Sequence, residues 1–146
     1  MAECKAKFKT VYQTYGVLYN WPAAMNGAES SDANPNGIQG ICPDGWHLPS
    51  KSEWTTLTDF LGGLKVAGGK MKDVGTSHRT NPDTGATNSS GFTALPGSFR
   101  NTNGTFYDIG VGGYWWSSTE DNENIVWYCY LRYDTSTVAR ADTYKD

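Results

Sequence analysis

The sequence predicts an α+β domain, built from short antiparallel sheets with one or two helices, on three observations. The composition is that of a compact, loop-rich chain: over 146 residues aromatics make up 14% and charged residues only 18%, with 17 glycines to serve turns. One segment, Leu48 to Leu61, carries both a helix-start signal and helical spacing of apolar residues. Another, Gly112 to Tyr144, alternates core-like and polar residues with the period of two that strands require. A chain of this length buries roughly 68–70% of its unfolded surface, so a single domain, 1–146, is expected without metals or many disulfides.

Taken in order, Lys5–Tyr12 and Gly16–Tyr19 read as two short strands around Gln13–Tyr15. Asn20-Trp21-Pro22 offers a helix start, with Asn as cap, proline in the first turn, and Gly27 to end it. Ala28 to Gly40 is small and polar around Asn34-Pro35-Asn36-Gly37 and reads as a surface loop. Ser50 and Glu53 then fit the reciprocal S-x-x-E capping box. Trp54, Leu57, Phe60 and Leu61 form an apolar stripe behind it, and Gly62-Gly63 stops the helix near Leu61. The tryptophan of this helix is assigned to the core. Leu64–Val74 reads as a strand bent at Gly68-Gly69, and Gly75 to Gly91 as a long functional or mobile excursion. Phe92–Leu95, Ser98–Arg100 and Thr105–Ile109 are short strand-like pieces, the last two joined by the hairpin dipeptide Asn103-Gly104.

The C-terminal stretch is the most informative. It holds Trp115, Trp116 and Trp127 and five of the nine tyrosines, in strand-like runs Gly113–Thr119, Asn124–Tyr133 and Ser136–Thr143. Alternation places Trp127, Cys129 and Leu131 on one side and Tyr128, Tyr130 and Arg132 on the other. It likewise separates Val138 and Arg140 from Ala139 and Ala141. Trp115 and Trp116, being adjacent, point to opposite faces, one to the core and one to the second surface. Tyrosine gives large, stiff contact area at small entropic cost, and Ser, Thr and Asp add adaptable hydrogen bonds, so the second surface has the composition of a paratope.

Charge and hydropathy exclude several classes. A net charge of −3 with scattered Lys and Arg offers no footprint for nucleic acid. No run approaches the 18 apolar residues that a membrane span needs. The N-terminus, MAECKAKFK, has no apolar signal-peptide stretch, and three cysteines leave at least one unpaired. Catalysis is not expected. Cys129 with His47 or His78 could in principle make a thiol–imidazole pair, but nothing in the sequence brings either histidine to it. His47 reads as a hydrogen-bonded structural residue, His78 as solvated. The oxygen-rich runs Glu120–Asn124 and Asn81–Gly85 read as polar turns, so neither a metal nor a cofactor is predicted.

Three blocks together carry a family resemblance: GVLYNWPAAM at 16–25, GIQGICPDGWHLPS at 37–50 running on to Glu53-Trp54, and GFTALPGSFR at 91–100 followed by YWWSSTE at 114–120. In order and spacing they closely resemble the Fibrobacter succinogenes major paralogous domain family, found in secreted and surface proteins of Bacteroidetes-like bacteria. The resemblance implies a C-type-lectin-like fold related to that of the formylglycine-generating enzyme. It also implies a place outside the cell, on a bacterial surface or a phage virion, and a cysteine partner for Cys42 in a final strand beyond Asp146. Cys42 is then either free or bridged to Cys4. An open sheet edge at that point would favour pairing with a second copy of the chain.

The resemblance further extends to variable proteins of diversity-generating retroelements, in which adenine-directed mutation of a template alters the last strands. An Asn codon changed at its two adenines reaches Tyr, Asp, Ser, Thr, Ala, Ile and Cys, but not Lys, Glu, Gln, Trp or Met. Segment 112–146 follows this rule at most surface positions, with Trp127, Leu131, Val138 and Lys145 reading as scaffold. The ligand-binding residues so implied are Trp116, Asp121, Asn122, Tyr128, Tyr130, Arg132, Tyr133, Asp134, Thr135, Ala139, Ala141, Asp142 and Tyr144. The partner expected is a protein or glycan on a cell surface. The alternative is a fixed carbohydrate-binding or adhesion domain.

Overall fold

The computed structural model describes residues 11–145. Its helices are α1 (Trp21–Met25), α2 (Lys51–Phe60) and α3 (Leu64–Met71), followed by strands β1 (Gly97–Arg100), β2 (Phe106–Ile109), β3 (Gly112–Asn122), β4 (Ile125–Arg132) and β5 (Val138–Tyr144). The strands form one curled, mixed, five-stranded sheet in the order β2-β1-β3-β4-β5. The architecture is α+β, but the sheet is not wholly antiparallel: β1 meets β3 in parallel at Ser98 and Gly113. The reason is local. The β2 ladder to β1 runs through Gly97–Ile109, and the Gly110 N–H still donates to the Pro96 carbonyl. With that flank of β1 occupied, β3 can only join the other.

The caps behave as their chemistry requires. The Asn20 side chain accepts the Ala23 amide and Asn26 ends α1 in the left-handed conformation. Ser50 and Glu53 close a complete capping box on α2. Trp54 is buried, yet Phe60 is 85% exposed and Thr58 takes its place. Trp54, Thr58 and Leu61 are spaced i, i+4, i+7, and Phe60 falls about 200° around the helix from Thr58. The Thr58 hydroxyl is tolerated in the interior because it donates to the Trp54 carbonyl at 2.9 Å and accepts from Arg140 Nη2 at 2.6 Å.

Two expected strands are replaced by helix. Residues 11–15 are helical and 16–20 irregular; the rest of the Lys5–Tyr12 prediction lies outside the described residues, as does Cys4. Leu64–Met71 is α3, not a bent strand. Gly68 and Gly69 serve close packing here: a Cβ on Gly68 would sit 2.7 Å from the Ser136 and Thr137 carbonyl oxygens, and one on Gly69 2.4 Å from that of Gly85. Phe92–Leu95 forms no strand, only a bridge from Ala94 to Lys72. The excursion 75–91 is pinned to the body. Arg79 and Asp83 within it are buried, and the Thr80, Thr84, Thr87 and Ser90 amides donate to Gly110, Tyr133, Gly69 and Lys70 carbonyls.

The main core lies between α2, α3 and one side of the sheet, where Trp54, Leu61, Ala67, Met71, Cys129, Leu131 and Val138 meet. Full burial of a Leu or Met side chain contributes about 1.5–3 kcal/mol. A smaller cluster of Trp21, Met25 and Val126, with Leu48, Ile38 and Trp116 against it, covers one end of the opposite side. Cys42 and Cys129 are free thiols.

Candidate ligand-binding face

Strand alternation and register together assemble a continuous aromatic surface on the side away from α2 and α3. The pairs Phe99–Tyr107, Ser98–Gly113, Tyr114–Tyr130 and Tyr130–Ala139 set one row across all five strands: Tyr107, Phe99, Tyr114, Tyr130, Ala139. A second row runs Trp116, Tyr128, Ala141. Ring centroids along the first row are 5.6 Å apart for Phe99–Tyr107, 4.9 Å for Phe99–Tyr114 and 5.6 Å for Tyr114–Tyr130. Tyr128 bridges the rows, 5.8 Å from Tyr130 and 6.1 Å from Trp116. The Tyr114 and Tyr130 planes differ by only 16° and those of Phe99 and Tyr107 by 26°. At such separations the near-parallel rings are offset-stacked, while Phe99 meets Tyr114 edge to face at 64°. Ala139 and Ala141 leave a low shelf beside them.

One end of the face is charged. Asp108, in the left-handed region at φ 67°, turns its carboxylate onto the aromatic side. Its Oδ2 accepts from Tyr114 Oη at 2.5 Å and from Arg132 Nη1 at 3.0 Å, and Asp134 lies 3.6 Å from Arg132 Nε. Burial, then the Asp108 carboxylate, push the Tyr114 phenol far above its ordinary value. Burial also raises Tyr128, with Tyr130 and Asp142 adding to the effect. The other end is closed by Trp116, whose indole N–H donates to the Tyr19 carbonyl at 2.8 Å.

Of the residues expected to bind, the fold brings six to this face: Trp116, Tyr128, Tyr130, Arg132, Ala139 and Ala141. Tyr133, Asp134 and Thr135 lie in the β4–β5 turn that borders it. Asp121 and Asn122 are exposed at the far end of β3, by the β3–β4 turn. Asp142 and Tyr144 fall out of it: their register partners are Trp127 and Ile125, which puts them on the α2 side. On that side Lys51 Nζ sits 3.6 Å over the Trp127 ring, and Arg140 donates to Thr55 and Thr58 hydroxyls. Trp115, half-buried, packs against the main core on the α2 and α3 side, as half-buried Trp116 packs against the smaller cluster on the other. Sequence reasoning missed Tyr114, Phe99, Tyr107 and Asp108. Tyr114 was within reach, since it shares the parity of Trp116. Phe99 and Tyr107 required the parallel β1–β3 join, which no local pattern signals.

The reactive side chains are placed as follows. Cys129 is buried, which pushes its thiol up to about 11 despite the favourable charge of Arg140. His47 Nε2 lies 2.9 Å from Glu53 Oε1, and His78 Nδ1 lies 2.8 Å from Asp73 Oδ2, so His78 is paired rather than simply solvated. Among the described residues no three His, Cys, Asp or Glu side chains are grouped to hold a metal ion. Nor is any helix of those residues long and apolar enough to cross a membrane.

The family model described as the Fibrobacter succinogenes major domain matches residues 2–145. The chain belongs to that family. No curated protein and no solved structure matches it. The aromatic face is thus a feature of a Fibrobacter succinogenes major domain, and within the matched span it draws residues from all five strands.

Proposed function

We propose that this chain is a non-catalytic ligand-binding domain, displaying a variable surface on a C-type-lectin-like scaffold outside the cell. The observation that carries this reading is the continuous aromatic row ending in Asp108 and Arg132. Stiff aromatic rings, a small-residue shelf and a charged border suit recognition by shape and hydrogen bonding. The partner in this reading is a protein or glycan on a cell surface. No nucleic acid, membrane insertion or cofactor belongs to this reading.

Variation by a retroelement is supported by where the adenine-reachable residues stand. Tyr128, Tyr130, Ala139 and Ala141 share the face, while unreachable Trp127 lies beneath Lys51 on the other side. Against it, Asp142 and Tyr144 are reachable yet lie on the α2 side, and Cys129 is reachable yet in the core. Sequencing codons 112–146 across the source population tests this: changes confined to adenines, sparing Trp127 and Leu131, support diversification, and even drift across the segment refutes it. Binding is tested by protein capture and glycan arrays with Tyr130→Ala and Tyr128→Ala. Loss of a protein target in both variants supports the reading. Glycan binding lost with Trp116→Ala or Tyr128→Ala would favour the second reading, a fixed carbohydrate-binding or adhesion domain. β5 is an edge strand, and self-association through it would show as a concentration-dependent mass in light scattering.

A further inference from the structure

The ammonium of Lys72, wholly buried at the end of α3, sits in a cage of four oxygens. It donates to the carbonyls of Thr84 at 2.9 Å, Thr135 at 3.1 Å and Arg132 at 3.2 Å, and Asp83 Oδ1 lies 3.1 Å away. A buried cation is tolerated only when its charge is paired and its protons are used. Three protons and four oxygens meet that condition, so the chain supplies its own cation to a site of cation-binding character. Two of the three carbonyls, Arg132 and Thr135, bracket the β4–β5 turn beside the aromatic face.

The remaining ties on this turn also run through its backbone. The Thr84 amide donates to the Tyr133 carbonyl at 2.7 Å, the Tyr133 amide to the Val111 carbonyl at 3.0 Å, and the Gly69 amide to the Ser136 carbonyl at 3.1 Å. The side chains contribute little. Among the described residues Tyr133 makes no side-chain hydrogen bond, Asp134 pairs with Arg132 and adds its charge to the field at Lys72, and the Thr135 hydroxyl turns back to Thr137. The one side-chain tie outward is Ser136 Oγ to the Thr84 carbonyl, at 3.3 Å.

We infer that Lys72 is the positioning residue of the binding face: it holds the β4–β5 turn by main-chain oxygens, so that the side chains of Tyr133 and Asp134 set specificity without moving the turn. This rests on the binding role proposed above for the C-terminal strands. The clamp grips the turn through main-chain carbonyls, with Asp83 as counter-charge, so neither Tyr133 nor Asp134 supplies one of its oxygens; Asp134 acts on Lys72 through its charge alone.

Amide hydrogen exchange on the full chain tests it, with Thr84, Tyr133 and Gly69 reporting on the turn and Ala24 in α1 as the distant reference. Lys72→Met is expected to speed exchange at the three turn amides by roughly tenfold or more, the size of losing one or two hydrogen bonds to a charged group, with Ala24 unchanged. Asp83→Asn, which keeps the lysine and removes its counter-charge, gives the same local pattern in weaker form. Tyr133→Ala/Asp134→Ala leaves all four amides as they are. The inference is overturned if the double variant loosens the turn, or if both the Lys72 and Asp83 variants either spare it or loosen Ala24 equally. No ligand enters this measurement, so a failure of the binding reading would leave its result standing.

Discussion

Tyr114 gives its phenol proton to Asp108 Oδ2 at 2.5 Å, and the same oxygen takes a second bond from Arg132 Nη1 at 3.0 Å. One carboxylate oxygen thereby joins β2, β3 and β4 at the end of the aromatic row, and it fixes the protonation state of the tyrosine. The neutral phenol is favoured because an anion there would be partly desolvated and would face the Asp108 charge. The folded-state value is raised above the ordinary one near 10, so this contribution to stability is fully present below pH 10 and is lost as the pH rises further. Tyr114→Phe is expected to flatten the alkaline limb of a stability–pH profile measured by urea denaturation. An unchanged limb would contradict it.

The capping box on α2 sets an acid limb. Burial pushes the Glu53 carboxyl up, but the Ser50 and Asn36 amides and His47 outweigh it and hold the group below its ordinary value. A carboxylate so lowered stabilises the fold above about pH 4.5, and that contribution is lost as pH falls through the depressed value. In Glu53→Gln the acid side of the same profile should be shallower.

Ser50 does more than cap. Its hydroxyl accepts the Glu53 amide and donates to the Ala33 carbonyl at 2.8 Å, and the side chain is fully buried. Ser50→Ala removes a cap worth about 1 kcal/mol and strands an acceptor, for a total loss of about 2 kcal/mol in chemical denaturation. A loss below about 0.5 kcal/mol would mean that another group satisfies the helix end.

Gly68→Ala reverses the usual sign for a helix. Alanine normally gains about 1 kcal/mol over glycine in a helix interior. Here the new methyl would meet two backbone carbonyls at 2.7 Å, and neither can swing aside as a flexible side chain would. A net destabilisation of about 2 kcal/mol or more is expected, read as a lower urea midpoint at unchanged slope.

Cys42 and Cys129 should separate cleanly in alkylation. Burial raises both thiols, but Cys129 is in the core at 4% exposure with its thiol near 11, while Cys42 is partly exposed. Iodoacetamide at pH 8 is expected to label Cys42 first, with Cys129 labelled only on unfolding; equal rates in the native state would refute the burial of Cys129.

Features set by a residue and its near neighbours were legible without coordinates. Asn20 and Ser50 announced their helices because a capping side chain bonds to amides two or three residues on. The β4 alternation was legible because pleating acts between adjacent residues, and Tyr128 and Tyr130 duly face away from Cys129 and Leu131. Leu64–Met71 misled because its two glycines answer to carbonyls 16 to 69 residues away, not to their own backbone preference.

The sequence by itself determined the three C-terminal strands, the capped helix under them, that Tyr128 and Tyr130 share a face, and the family to which the chain belongs. Only the tertiary structure decided which tryptophan of the Trp115-Trp116 pair faces α2 and α3, and that Phe99 and Tyr107 extend the aromatic row. It alone set Asp142 and Tyr144 on the other side and enclosed Lys72 among carbonyls from three segments. Local periodicity fixes the parity of a side chain along its own strand. The partner on the next strand, and the face that α2 and α3 cover, follow from contacts between residues distant in the chain, which no window of sequence contains.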